Sequence, residues 1–183
     1  MMKLSDVIRW REKACEMLQR ANIVITPEEE QNMEIADCGF DDMENLGLHI
    51  VVYESNERYC AKELILFPNQ FFPEHCHPRI DKQNEGKQET FRCRWGEVYL
   101  YVEGEPSPQP KARIPSDYRK YLTVWKEVVL RPGDQYTLPP STKHWFQAGN
   151  EGCIVSEFSS TSIDKTDVFT DPRVQRIPVI KKD

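Results

Sequence analysis

The stretch FPEHCHPRIDKQNEGKQETFRCRWGEVYLYVEGE, residues 72–105, carries two of the chain's four histidines, His75 and His77, one residue apart. In an extended strand, residues two apart share a face. Both imidazoles therefore point to one side, with Cys76 turned the other way between them. Lys87 and Glu89 repeat the spacing at the start of the strand-like run ETFRCRW. A further histidine, His144, opens HWFQAG after the turn-strand unit RPGDQYTLPPSTK. Three imidazoles and one carboxylate make a mixed nitrogen and oxygen donor set suited to Mn²⁺, Fe²⁺, Co²⁺, Ni²⁺ or Zn²⁺. Four protein ligands leave two positions open on an octahedral ion, which a hydroxy-carbonyl substrate can fill through two oxygens. Glu85 competes with Glu89 for the acidic position. His49, inside LHIVVY, reads as a satisfied core or surface residue.

Around this stretch the texture is β. LHIVVYES, RYCAKELILF, ETFRCRW, EVYLYVEG, LTVWKEVVL, QYTLPP, HWFQA and CIVSEFSS are short and rich in β-branched and aromatic residues, with turn signals at Pro-Asn, Trp-Gly, Pro-Gly-Asp and Asn-Glu-Gly. Roughly eight such strands predict an antiparallel sandwich or barrel. The first third reads helical. Ser5 is placed to cap a helix running to about Arg20, with Val7, Ile8, Trp10, Ala14, Met17 and Leu18 on its apolar face. A second start lies at TPEEE, with Thr26 as cap, Pro27 in the first helical position and Glu29 closing a capping box. The four-proline stretch EGEPSPQPKARIPSDYRK predicts a surface loop. The tail TDPRVQRIPVIKKD predicts irregular structure lying over the barrel or a partner subunit. The expected organisation is one domain over 1–183, with a helical amino-terminal segment (1–46), a β-barrel (47–160) and a carboxy-terminal tail (161–183).

Composition narrows the function classes. Of 183 residues, 39% are hydrophobic and 30% charged, and the net charge of −6 argues against a nucleic-acid partner. No run approaches the ~20 apolar residues needed to span a bilayer. Charges stand where a secretory signal would carry its apolar stretch, so the expectation is a cytoplasmic protein with no membrane partner. The six cysteines include no Cys-x-x-Cys pair, which predicts free thiols in a reducing compartment.

The punctuation around the histidines resembles the two cupin motifs. Asn69 stands at the first glycine position, His75 and His77 follow, and Gly96 comes six residues after Glu89, a register that favours Glu89 over Glu85. Gly133, Pro139 and His144 match the second motif. Eleven residues separate His77 from Glu89 where three or four are usual, Ser141 replaces a glycine, and Ala148 stands at the usual asparagine. Asn69 can take the left-handed conformation that glycine would take.

From residue 72 to residue 176 the chain also resembles the D-lyxose isomerase family, through EHCHPRIDKQNEGKQETFRCRWGEVYLYVEGE, PGDQYTLPPSTKHWFQAG and VSEFSSTSIDKTDVFTDPRVQR. The resemblance implies a mainly β cupin fold, a double-stranded β-helix or jelly-roll barrel with amino-terminal helices. It implies a Mn²⁺-dependent enzyme interconverting D-lyxose with D-xylulose, and D-mannose with D-fructose. His75, His77, Glu89 and His144 would be the metal ligands. It also implies a functional lysine in the Lys87-x-Glu89 pair. Aldose–ketose isomerisation needs a base for the C2 proton, and alternation in IVSEF turns Val155 and Glu157 to one face. Glu157 is predicted as that base, and Lys87 as a proton donor or oxyanion stabiliser. The expected partners are a monosaccharide and, since a cupin sheet edge is often covered, a second copy in a homodimer. A phosphosugar isomerase, with KAR and YRK as its basic cluster, a non-catalytic sugar-binding cupin and a cupin oxygenase stand as alternatives. Trp145 and Phe146 read as core packing, while Arg92, Arg94 and Asp167 carry no decided role.

Overall fold

The computed structural model describes residues 2–181. In chain order the elements are β1 (Met2–Lys3), α1 (Leu4–Arg20), α2 (Pro27–Asn32), β2 (Glu34–Ala36), β3 (Leu48–Ser55), β4 (Cys60–Leu66) and β5 (Phe71–Cys76). They continue through β6 (Glu89–Val102), α3 (Ser116–Arg119), β7 (Lys126–Leu130), β8 (Gln135–Leu138), β9 (His144–Ser159), β10 (Val168–Phe169) and β11 (Ile180–Lys181). Strands β2 to β10 make one antiparallel sheet in the order β10-β5-β9-β4-β3-β2, with β6 pairing β9, β7 and β8.

Alternation decides what faces inward. Leu64, Phe91, Leu100, Phe146 and Val155 fill the barrel. The opposite face of the sheet offers Val51, Ile65 and Ile154, against which α1 lays Val7, Trp10, Ala14, Met17 and Leu18. This is the apolar stripe expected from the sequence, except that Ile8 is exposed. The capping box at Thr26 and Glu29 forms as expected. Ser5 does not occupy the cap position of α1: the helix begins at Leu4, two residues earlier than a Ser5 cap would set it, and Lys3 is the cap without a side-chain bond.

Two further expectations are corrected. Residues 34–36, placed in the helical amino-terminal segment, form β2 on the edge of the sheet. ETFRCRW and EVYLYVEG are one strand, and HWFQA and CIVSEFSS are another. Trp95-Gly96 is not a turn: both residues pair with β9, with a register shift on either side of them, and Gly96 has φ +71°. A Cβ there would lie 2.1 Å from the Gly152 carbonyl oxygen, so only glycine lets β6 cross β9 so closely. The long β6 and β9 thus run the length of the barrel side by side.

His49 is fully buried, donates from Nδ1 to the Ile65 carbonyl at 3.0 Å, and has Nε2 without a partner. Burial pushes its pKa down to about 4 from 6.5, against the raising effect of the Ile65 bond. The unfolded chain therefore takes up a proton below pH 6.5 that the folded chain refuses until about pH 4. The sign is loss of stability on acidification, about 3 kcal/mol across that window. Chemical denaturation at pH 7 and pH 4 should show this loss shrinking in His49→Leu. An unchanged pH difference would assign it elsewhere.

Candidate metal centre and active site

His75 and His144 face each other across β5 and β9 as register partners, with ring centroids 4.2 Å apart. His77 follows immediately after β5, and Glu89 begins β6. Gly86 explains how eleven intervening residues still return the chain to the same point. It has φ +100°, and a Cβ would fall 2.4 Å from the His77 carbonyl oxygen. The loop 78–88 folds back on His77 at this glycine and delivers Lys87 and Glu89 inward. Glu85 is instead exposed and pairs with Arg79 at 2.8 Å. Asn69 and Ser141, the departures from glycine, both hold positive φ, at 60° and 62°.

The ligand atoms of His75, His77, Glu89 and His144 lie within 4.8 Å of one another, and all four residues are buried. Glu89 Oε1 is 2.9 Å from His144 Nε2 and 3.3 Å from His77 Nε2. None of these three atoms has a partner in hydrogen-bond geometry. Buried polar atoms are rarely left so, and lone pairs converging on one point are what a dication satisfies. The other side of each ring is fixed. Nδ1 of His75 donates to the Pro73 carbonyl (2.8 Å), that of His144 to the Thr142 carbonyl (3.0 Å), and that of His77 to Asp167 (2.6 Å). Each bond puts the proton on Nδ1 and leaves Nε2 free as a donor to metal. The residues fit a divalent ion.

The electrostatics agree. Burial disfavours charge on His77, but Glu89 and Asp167 outweigh it and raise its pKa to about 9. Burial likewise opposes ionisation of Glu89, yet Lys87 and His77 hold its carboxyl well below the usual range. Burial, His144 and His77 push His75 down. Glu89 is thus held as a carboxylate facing the imidazoles, the charge a bound cation would meet.

Beside the cluster lies a narrow cleft of about 30 Å³, walled by Lys62, Phe72, Lys87, Phe91, Phe146 and Glu157. Lys87 Nζ sits 2.6 Å from Glu89 Oε2 and 2.5 Å from Glu157 Oε1. Burial works against the Lys87 ammonium, but Glu157 and Glu89 raise its pKa regardless. Four carboxylates and three cations line the cleft, so with neutral imidazoles its wall falls one charge on the negative side.

The remaining expectations sort cleanly. Trp145 is fully buried and stacks on Tyr101 at 4.0 Å, a core role. Phe146 belongs to the core and also lines the cleft. Arg92 and Arg94 point outward, to Gln135 and to Ser156 with Glu63. Cys76 lies outside the donor group, and all six cysteines are free thiols. The tail reaches over the cleft: β10 pairs β5, and Phe169 stacks on His75 at 5.2 Å. Lys62, Asp164 and Arg176 also line the cleft and were not singled out from sequence. Lys62 was legible, as the charged residue at an inward position among Cys60, Lys62 and Leu64. The irregular tail offered no periodic signal for the other two.

An antiparallel barrel with this buried donor group at its mouth and helices at its amino end is a cupin of the sugar-isomerase kind. A family profile described as D-lyxose isomerase matches residues 2–183, and the chain belongs to the D-lyxose isomerase family. It is an isomerase. A relative from Thermofilum sp. (strain ex4484_79), named D-lyxose ketol-isomerase, is 63% identical over 170 residues, spanning 93% of this chain and 94% of that one. The D-lyxose/D-mannose isomerase of Thermosediminibacter oceani is 58% identical over 181 residues, 99% of each chain. In three dimensions the fold matches Geodermatophilus obscurus L-ribose isomerase with a TM-score of 0.81, at 16% identity and 98% coverage of both chains. Among the described residues no helix is long and apolar enough to cross a membrane.

Proposed function

We propose that this protein interconverts D-lyxose and D-xylulose, and D-mannose and D-fructose, with Mn²⁺ held by His75, His77, Glu89 and His144. The observation that carries the reading is the convergence of four buried ligand groups beside a Lys87–Glu157 ion pair. Bound there, a divalent ion supplies Lewis acidity at two neighbouring sugar oxygens. Glu157 takes the C2 proton as a carboxylate and returns it to C1 on the same face, while the hydroxyl proton passes from O2 to O1. Lys87, kept charged by two carboxylates, is better suited to stabilising the developing oxyanion than to releasing a proton. The apolar wall of Phe72, Phe91 and Phe146 limits water at the reacting carbons.

The two named sugars are chemically consistent with one site, because D-lyxose and D-mannose share configuration at C2, C3 and C4. Phosphosugars fit less well. Lys87 and Arg176 are engaged by carboxylates. The basic residues of the proline loop lie away from the cleft: Lys111 sits over Tyr99 and Arg119 over Trp125. Seven charged side chains line the cleft, unlike the apolar pocket expected of an oxygenase. The reading includes a cytoplasmic, single-domain enzyme acting as a homodimer, for which half-exposed Tyr59 and Phe158 provide apolar surface. Assaying D-lyxose, D-mannose and phosphosugars with and without Mn²⁺ tests it: no ketose from either free sugar would exclude the proposal.

Asp167 gains a role on this reading. Its bond to His77 Nδ1 is the carboxylate–histidine arrangement that orients a metal ligand. Asp167→Ala should weaken Mn²⁺ affinity about 10–100-fold, measured by competition with a chromophoric chelator. Unchanged affinity would make the contact structural only.

A further inference from the structure

Lys62 is a buried cation, 6% exposed, on the wall of the cleft. Its strand, β4, places it directly opposite Glu157 of β9, so the two side chains enter the barrel side by side. Its contacts are few and long: Ser162 Oγ at 3.3 Å and Asp164 Oδ1 at 3.4 Å. Asp164 does not depend on it. Oδ1 already accepts from Ser162 at 2.8 Å, and Oδ2 accepts from Arg176 at 2.6 Å. Arg176 is held from its other side by Glu34 of β2. An ammonium has three donors, and burying one with only two stretched contacts is costly unless something else completes its shell. A group entering the cleft is placed to do so.

We propose that Lys62 contacts substrate, donating a hydrogen bond to a sugar hydroxyl beyond the reacting carbons, on C3, C4 or C5. This rests on the isomerase reading and adds to it the part of the wall that senses the unreactive end of the sugar. Lys87 and Glu157 serve C1 and C2. Of the cations of the cleft, Lys62 has the longest carboxylate contact, 3.4 Å to Asp164 against 2.6 Å from Lys87 to Glu89 and from Arg176 to Asp164. Asp164 and Arg176 act as positioning residues: the Glu34–Arg176–Asp164 chain ties the tail to the sheet and leaves the ammonium turned inward. A neutral hydroxyl suits this lysine better than a phosphate, because Asp164 stands next to it.

The test compares Mn²⁺-loaded full-length wild type with Lys62→Met and Lys62→Gln on D-lyxose and on its 3-, 4- and 5-deoxy analogues. Analogues that are turned over are read as kcat/KM, and those that are not as Ki against D-lyxose. On D-lyxose the variants should lose about 10–100-fold in kcat/KM, with metal content and melting temperature preserved. On one deoxy analogue, variant and wild type should agree within threefold, because the hydroxyl that the lysine reads is already missing. A variant within threefold of wild type on D-lyxose overturns the proposal, as does an equal loss on all four sugars. Failure to fold in both variants would also count against it, since Lys62 would then be structural. Wild type inert on every aldose would instead sink the isomerase reading on which this rests.

Discussion

Glu157→Gln is expected to lower kcat on D-lyxose about 10²–10⁴-fold, the range a positioned base supplies, with full Mn²⁺ content. The substitution keeps the shape of the side chain and removes only the basic oxygen. Glu157 stands outside the four-ligand group, so the metal has no reason to leave. Its Oε1 is 2.5 Å from the Lys87 ammonium, an ion pair that fixes the carboxylate on the wall of the cleft. The decisive comparison is single-turnover rate against metal stoichiometry in one preparation. A variant within tenfold of wild type would remove Glu157 from the base role, and a metal-free variant would show that it belongs to the cage.

A second large effect is expected at His75. His75→Ala deletes one of four donors, and His75 lies at the centre of the ring cluster, 4.2 Å from His144 and 5.0 Å from His77 between centroids. Three donors with a void at the fourth hold a dication poorly, so Mn²⁺ should dissociate on gel filtration and turnover should fall to background. Chelator-treated wild type should fall to the same level and recover on adding Mn²⁺, whereas the variant should not recover at equal concentration. Full occupancy in His75→Ala would mean that the ligand list is wrong. Activity surviving verified metal removal would retire the metal-dependent mechanism altogether.

Much of this was legible in the primary structure, for identifiable reasons. Alternation in IVSEF and in Lys87-x-Glu89 reports facing directly, and the structure brings those side chains together. The acidic position was decided by Gly96, whose spacing from Glu89 reflects a real steric need at the crossing of β6 and β9. Strand number was misjudged because Trp-Gly and Asn-Glu-Gly read as turns, although a long strand absorbs such residues through shifts of register. Asp167, Asp164 and Arg176 stayed undecided or unseen because their positions come from tail-to-barrel contacts, which no local periodicity encodes. Ser5 misled for a simpler reason: Met2 and Lys3 pair with the far terminus in β1–β11, and that pairing, rather than a serine hydroxyl, sets where the first helix begins.

The continuity of β9 has a consequence for how such an enzyme can diversify. One strand bears His144 at its first position and Glu157 near its last, and β6, paired with it on both sides of residues 149–152, bears Glu89. The spacing of these parts is therefore built into a rigid ladder and resists drift. Loops and the tail are free of that restraint. New sugar preferences are accordingly easiest to acquire through the loops and residues 160–176, with the reaction chemistry inherited unaltered.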